Sequence, residues 1–113
     1  NKDVLMKFED LLDVYFQSEQ SPNEKLPTVK YFADKVNLSS NYFGDLIKKE
    51  TGKTAQEYIQ GKIINIAKER ILASEKTVSE IAYELGFQYP QHFTRIFKKV
   101  VGCTPTEYRV IQV

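Results

Sequence analysis

Residues 78–108, VSEIAYELGFQYPQHFTRIFKKVVGCTPTEY, can be laid over residues 29–58, VKYFADKVNLSSNYFGDLIKKETGKTAQEY, with one extra residue in the later turn. Val29 falls on Val78, Ala33 on Ala82, Phe43 on Phe93, and Lys48 and Lys49 on Lys98 and Lys99. Gly52 then falls on Gly102, Thr54 on Thr104, and Glu57-Tyr58 on Glu107-Tyr108. The chain therefore holds two copies of one plan, and its architecture has to be that of a tandem repeat.

Each copy reads as a short helix, a tight turn and a second helix, the spacing of a helix-turn-helix. The first copy runs helix 29–36, turn Asn37-Leu38-Ser39, helix 40–51; the second runs helix 78–85, turn 86–89, helix 90–101. Ala33 and Ala82 lie midway along the first helices, where a small side chain allows close helix approach. Gly86 ends a helix cheaply in the left-handed conformation, and Leu38 and Phe87 are placed to plug each turn into the core. Three helix starts carry a capping box, Thr54/Glu57, Thr77/Glu80 and Thr104/Glu107, with Pro105 at the favoured first helical position.

Before the first copy, Val4, Leu5, Phe8, Leu11, Leu12, Tyr15 and Phe16 recur at three-to-four spacing and mark one buried helical face, which the polar stretch 19–27 ends. Between the copies, Ile59, Ile63, Ile64, Ile66, Ala67, Ile71 and Leu72 are too many apolar positions for one stripe, so this helix is expected to be buried by both copies. Twenty residues from Thr54 to Ala73 span roughly 30 Å, close to the roughly 34 Å of one DNA turn. No alternating strand pattern appears. The expected fold is all-α, two helix-turn-helix subdomains joined by a long central helix, about seven helices in all. Its parts are a leading amphipathic helix and polar loop (1–27), the first helix-turn-helix (28–53), the linker helix (54–73), and the second helix-turn-helix with a C-terminal helix (74–113).

Composition narrows the function classes. The 113 residues carry a net charge of +1, but residues 1–27 sum to −3 and residues 28–113 to +4, a modestly basic body that permits an anionic partner without demanding one. No apolar run approaches the roughly 18 residues of a membrane span, and the N-terminus carries acids where a signal peptide would carry a basic region. No membrane partner and a cytoplasmic location are the expectation. The single Cys103 rules out an internal disulfide and has no second Cys for zinc, so it reads as a small half-buried residue. With no phosphate-binding glycine loop, metal cluster or activated nucleophile in the sequence, no enzyme activity, metal or cofactor is expected.

The run IAYELGFQYPQHFTRIFKKVVGCTPTEYR, 81–109, resembles the DNA-binding domain of the AraC/XylS family of bacterial transcription regulators: IA, a spacer, GF, then an aromatic and FKK before G, TP and YR. The resemblance covers roughly Leu26 to Arg109. It implies two helix-turn-helix units on a long helix, with their second helices in successive major grooves of double-stranded DNA, in a sequence-specific regulator of transcription. It departs from the family at Ile63, where an Arg is frequent, and at Tyr89, where a small polar cap is usual. Nothing in the chain senses a signal, so it is expected to be the C-terminal part of a longer regulator, with an N-terminal sensor or dimerisation domain and RNA polymerase as further partners. A stand-alone short activator is the alternative.

Reading the outward residues as chemistry gives the candidate site. In the second copy Phe87, Phe93, Ile96 and Phe97 face the core, leaving Gln91, Thr94 and Arg95 for bases: Gln suits adenine, Arg guanine, and Thr a thymine methyl. In the first copy the corresponding positions are Asn41, Gly44 and Asp45. Candidates for the DNA backbone are Ser40, Tyr42, Lys48, Lys49, Tyr89, His92, Lys98 and Lys99. The paired lysines also complement the helix dipole, His92 suits phosphate contact or plain exposure, and Asp45 could instead pair with Lys49. Because Asp45 and Arg95 are equivalent, the two copies cannot read the same sequence, and an acid near phosphates should make the first bind more weakly. The rival class is a helical protein-interaction module without sequence-specific DNA binding, which should show exposed apolar anchors on the second helices.

Overall fold

The structure, a computed structural model, describes residues 2–17 and 26–111. Among them are seven helices and no strand: α1 (Lys2–Gln17), α2 (Val29–Lys35), α3 (Ser40–Thr51), α4 (Ala55–Ala73), α5 (Val78–Glu84), α6 (Pro90–Val101) and α7 (Pro105–Ile111). The all-α expectation is borne out. The polar stretch expected to end the first helix, 19–27, lies mostly outside the described residues.

These residues form two compact units. The first contains α1, α2, α3 and α4 as far as Gln60; the second begins at Gly61 within α4 and contains α5, α6 and α7. The first is built on aromatic rings. Phe8 of α1 meets Phe32 of α2 and Phe43 of α3 edge-on, with centroids 5.2 and 5.0 Å apart, and all three are fully buried. Each such pair adds about 0.5–1.5 kcal/mol beyond the burial of its area. Tyr58 stacks on Phe8 at 5.3 Å, and burial, with the Glu9 and Asp13 carboxylates nearby, pushes its phenol up. In the second unit the rings form a chain: Phe87 to Phe93 at 5.2 Å, Phe93 to Phe97 at 5.8 Å, and Phe97 to Tyr108 at 5.6 Å.

The turn that follows the first helix of each motif is the same object twice. In the first unit the Asn37 amide donates to the Asp34 carbonyl and the Leu38 amide to the Ala33 carbonyl; in the second, Gly86 donates to Tyr83 and Phe87 to Ala82. Paired bonds of this span around one left-handed residue close the helix end, and that residue is Asn37 (φ 61°) in one unit and Gly86 (φ 104°) in the other. Asn tolerates this conformation at small cost. Ala33 and Ala82 are fully buried and Phe87 nearly so, whereas Leu38 is half-buried.

The linker helix needs one correction. Ile59, Ile63, Ile64, Ala67 and Ile71 are buried, but Leu72 is 48% exposed. Ile71 takes the inward position one residue earlier, and a neighbour on a helix is turned about 100° away. Ile63, at the position where the family resemblance leads one to look for Arg, is a core residue. The end of α4 is held by Arg109, whose Nε donates to the Ile71 carbonyl at 3.0 Å and whose second guanidinium nitrogen donates to the Ser74 carbonyl at 3.4 Å. Glu84 pairs with both Arg70 and Lys76 in the same unit.

All three capping boxes are formed: each Thr hydroxyl accepts from the Glu amide, and each Glu carboxylate accepts from the Thr amide. The bond from the backbone amide, then the threonine hydroxyl, holds the carboxyls of Glu80 and Glu107 below the usual value near 4.5. Since the folded value lies below the unfolded one, the stabilisation is full above the unfolded value and is lost as pH falls through the folded value. A Glu80→Ala/Glu107→Ala variant should therefore melt below the parent at pH 7. The gap between their thermal midpoints should narrow as pH drops through the carboxylate range.

Candidate nucleic-acid interface

The second helix of each motif begins differently. Ser39 caps α3, its hydroxyl accepting from the Tyr42 amide at 3.1 Å. Tyr89 precedes α6 in extended backbone and makes no side-chain cap bond; there Pro90 opens the helix with its φ already helical. Both helices close on a left-handed glycine, Gly52 or Gly102, whose amide donates to the Lys48 or Lys98 carbonyl at 2.8 Å.

On α6 the apolar residues Phe93, Ile96 and Phe97 are buried. That leaves Gln91, His92, Arg95, Lys98 and Lys99 exposed and Thr94 half-buried. Gln91 and Arg95 are four apart and share a face. With Tyr89, 62% exposed, and His92 they line one shallow, open depression. His92 has a second occupation that the sequence pattern did not announce: its ring stands edge-on to the buried Phe87, with centroids 5.4 Å apart. The imidazole is thus held by the turn residue while remaining exposed.

On α3 the buried residues are Phe43 and Ile47, and Ser40, Asn41, Tyr42, Asp45, Lys48 and Lys49 are exposed, with Gly44 half-buried. No ion pair joins Asp45 to Lys49 among the described residues, so the alternative in which that lysine neutralises the acid is not realised. Asp45 presents its carboxylate to solvent, where α6 presents the Arg95 guanidinium. Each pair of lysines lies in the last turn of its helix, where positive charge also complements the dipole.

Among the described residues no three His, Cys, Asp or Glu side chains group to hold a metal, and no helix is long and apolar enough to cross a membrane. Cys103 is half-buried. Of the large apolar residues on the two second helices, Tyr42 of α3 and Val100 of α6 are exposed, with Tyr89 at the start of α6. They do not form the i, i+3, i+4, i+7 series that would dock a partner helix.

A helix-turn-helix domain profile matches residues 32–110. The chain is similar to the Bacillus subtilis transcriptional regulatory protein YesN, 36% identical over 78 residues that make up 67% of this chain and 21% of that protein. It spans no more than about a third of two further Bacillus subtilis regulators. Its fold is similar to the C-terminal domain of the two-component response regulator yesN from Fusobacterium nucleatum, with TM-score 0.77 and 29% identity over 90% of this chain and 93% of that one. It is also similar to a transcriptional regulator with an AraC-type DNA-binding domain from Chromobacterium violaceum, with TM-score 0.82 and 20% identity over 96% and 91% of the two chains, which bears on the fold alone.

Two substitutions on α6 test the expected division between base reading and backbone attraction. Arg95→Ala should relax the preference at one base pair, a G·C, at a cost of about 1–3 kcal/mol. Lys98→Ala should weaken all duplexes alike and flatten the dependence of affinity on salt. Titrations on a specific and a shuffled duplex at two salt concentrations measure both.

Proposed function

We propose that the chain, which belongs to the helix-turn-helix domain family matched over residues 32–110, is the AraC-type DNA-binding domain of a bacterial transcription regulator, with α3 and α6 as its two recognition helices in successive major grooves of one duplex. The observation that carries this reading is the outer face of α6, where Gln91 and Arg95 stand exposed over a shallow depression with two lysines further along. Gln and Arg are the side chains that make two-point contacts with adenine and guanine edges. Thr94 lies beside them for a thymine methyl. Lys98 and Lys99, with Tyr89 and His92, supply the contacts to phosphate that fix register.

On α3 the base-facing set is Asn41, Gly44 and Asp45, with Ser40, Tyr42, Lys48 and Lys49 toward the backbone. Asn41 can read adenine, and Asp45 can accept from cytosine N4. An unpaired carboxylate close to phosphates also repels them, so the first subsite is the weaker of the two. One chain thus reads two unlike subsites, and its site has no internal symmetry.

The chain spans only part of the relatives it matches. We place it as the C-terminal part of a longer cytoplasmic regulator, with a sensor or dimerisation domain on its N-terminal side and RNA polymerase as the protein partner. The absence of a helical series of apolar anchors on the outer faces of α3 and α6 argues against a protein-docking module as its main role.

Asp45→Asn tests the reading of α3, because it removes one negative charge at nearly constant size. It should tighten binding to specific and shuffled duplexes alike and flatten the preference in the first subsite. Weaker binding to both would make Asp45 a structural residue instead.

A further inference from the structure

The reading face of α3 has a gap in it. Gly44 lies between Asn41 and Asp45 on ordinary helical backbone, since it is not among the glycines of positive φ. Beyond its chain neighbours and the backbone of its own helix, a methyl group built on its Cα would meet no atom within 4 Å. Neither the backbone nor packing inside the protein therefore asks for glycine, and alanine would favour the helix. Gly61 of α4 has the same open surroundings; what singles out Gly44 is its register between two candidate base-reading side chains. The equivalent position on α6 is Thr94.

A base-facing position without a side chain can neither donate nor accept a hydrogen bond. It can only admit something that protrudes toward it. In the major groove the feature that protrudes without needing a polar partner is the 5-methyl group of thymine. We propose that Gly44 is a specificity-determining position, whose bare Cα receives a thymine methyl of the first subsite in the gap between Asn41 and Asp45. This rests on the reading that α3 faces the groove. It adds that α3 selects partly by shape, and that glycine is retained there for the fit of the DNA at the expense of helix stability.

The test moves one methyl group between the partners. Thymines of the first subsite are replaced one at a time by deoxyuridine, and each duplex is titrated with the parent, Gly44→Ala and Gly44→Glu. The parent should lose about fourfold in affinity at one thymine, the worth of one buried methyl-sized group. Gly44→Ala should melt a few degrees higher and bind the thymine duplex roughly tenfold more weakly. At that same position it should prefer deoxyuridine, because the methyl removed from the DNA makes room for the one added to the protein. Parent-like binding by Gly44→Ala, or no thymine whose methyl matters, would overturn the proposal. Gly44→Glu places a second acid on the face and should abolish binding to the first subsite if α3 faces the groove at all. Unchanged affinity for that variant would sink the groove reading together with the methyl contact, whereas its loss alongside a parent-like Gly44→Ala would sink the methyl contact alone.

Discussion

The second helix of each motif follows a turn closed by a hydrogen bond from the amide just past a left-handed residue to the carbonyl of a fully buried alanine: Leu38 to Ala33 in the first unit, Phe87 to Ala82 in the second. The bond closes the first helix of the motif, and the left-handed residue before it turns the chain toward the second. Alanine at the acceptor position puts nothing larger than a methyl group there, and Phe32 and Phe43 in the first unit, like Ile81 and Phe93 in the second, are fully buried. Which side chains of α3 and α6 are left exposed follows from that closure. A bulkier residue at Ala33 or Ala82 would have to push the second helix outward, and the reading face would move with it.

Within one architecture the two faces carry different chemistry. Asp45 stands where the second unit has Arg95, Gly44 where it has Thr94, and Tyr42 where it has His92. The C-terminal ends of the two helices are alike, with paired lysines in the last turn and a left-handed glycine whose amide donates to the carbonyl of the first lysine. In the proposed complex the shared frame would supply affinity through charge and position, and the few differing residues would supply information. A tandem of like frames with unlike faces suits an asymmetric site read by a single chain, where a symmetric dimer would need two identical faces.

Much of the fold was legible because its punctuation is chemical. The threonine-glutamate boxes at Thr54, Thr77 and Thr104 mark the starts of α4, α5 and α7, and α3 and α6 have the bounds that the repeat of helix, turn and helix implies. What escaped is of another kind. Asn37 adopts the conformation that Gly86 announces by its identity, since asparagine is common in turns of many types. Leu72 is exposed because apolar residues in excess of one stripe cannot all be inward at once, and periodicity alone does not choose among them. The ring contact of His92 with Phe87, and the absence of a pair between Asp45 and Lys49, depend on rotamers, which residue spacing does not encode. The candidate site was legible as a set of outward positions on two helices. Its partition into base and backbone contacts is a property of the complex with DNA.

Selection of bound sites from a pool of random duplexes, with the number of chains per duplex measured on the winners, tests the central claim most directly. The account predicts an asymmetric site of two unlike parts, bound by one chain, with the stronger preference in the part that Arg95 reads. A palindromic site carrying two chains, or no enriched sequence at all, would contradict it.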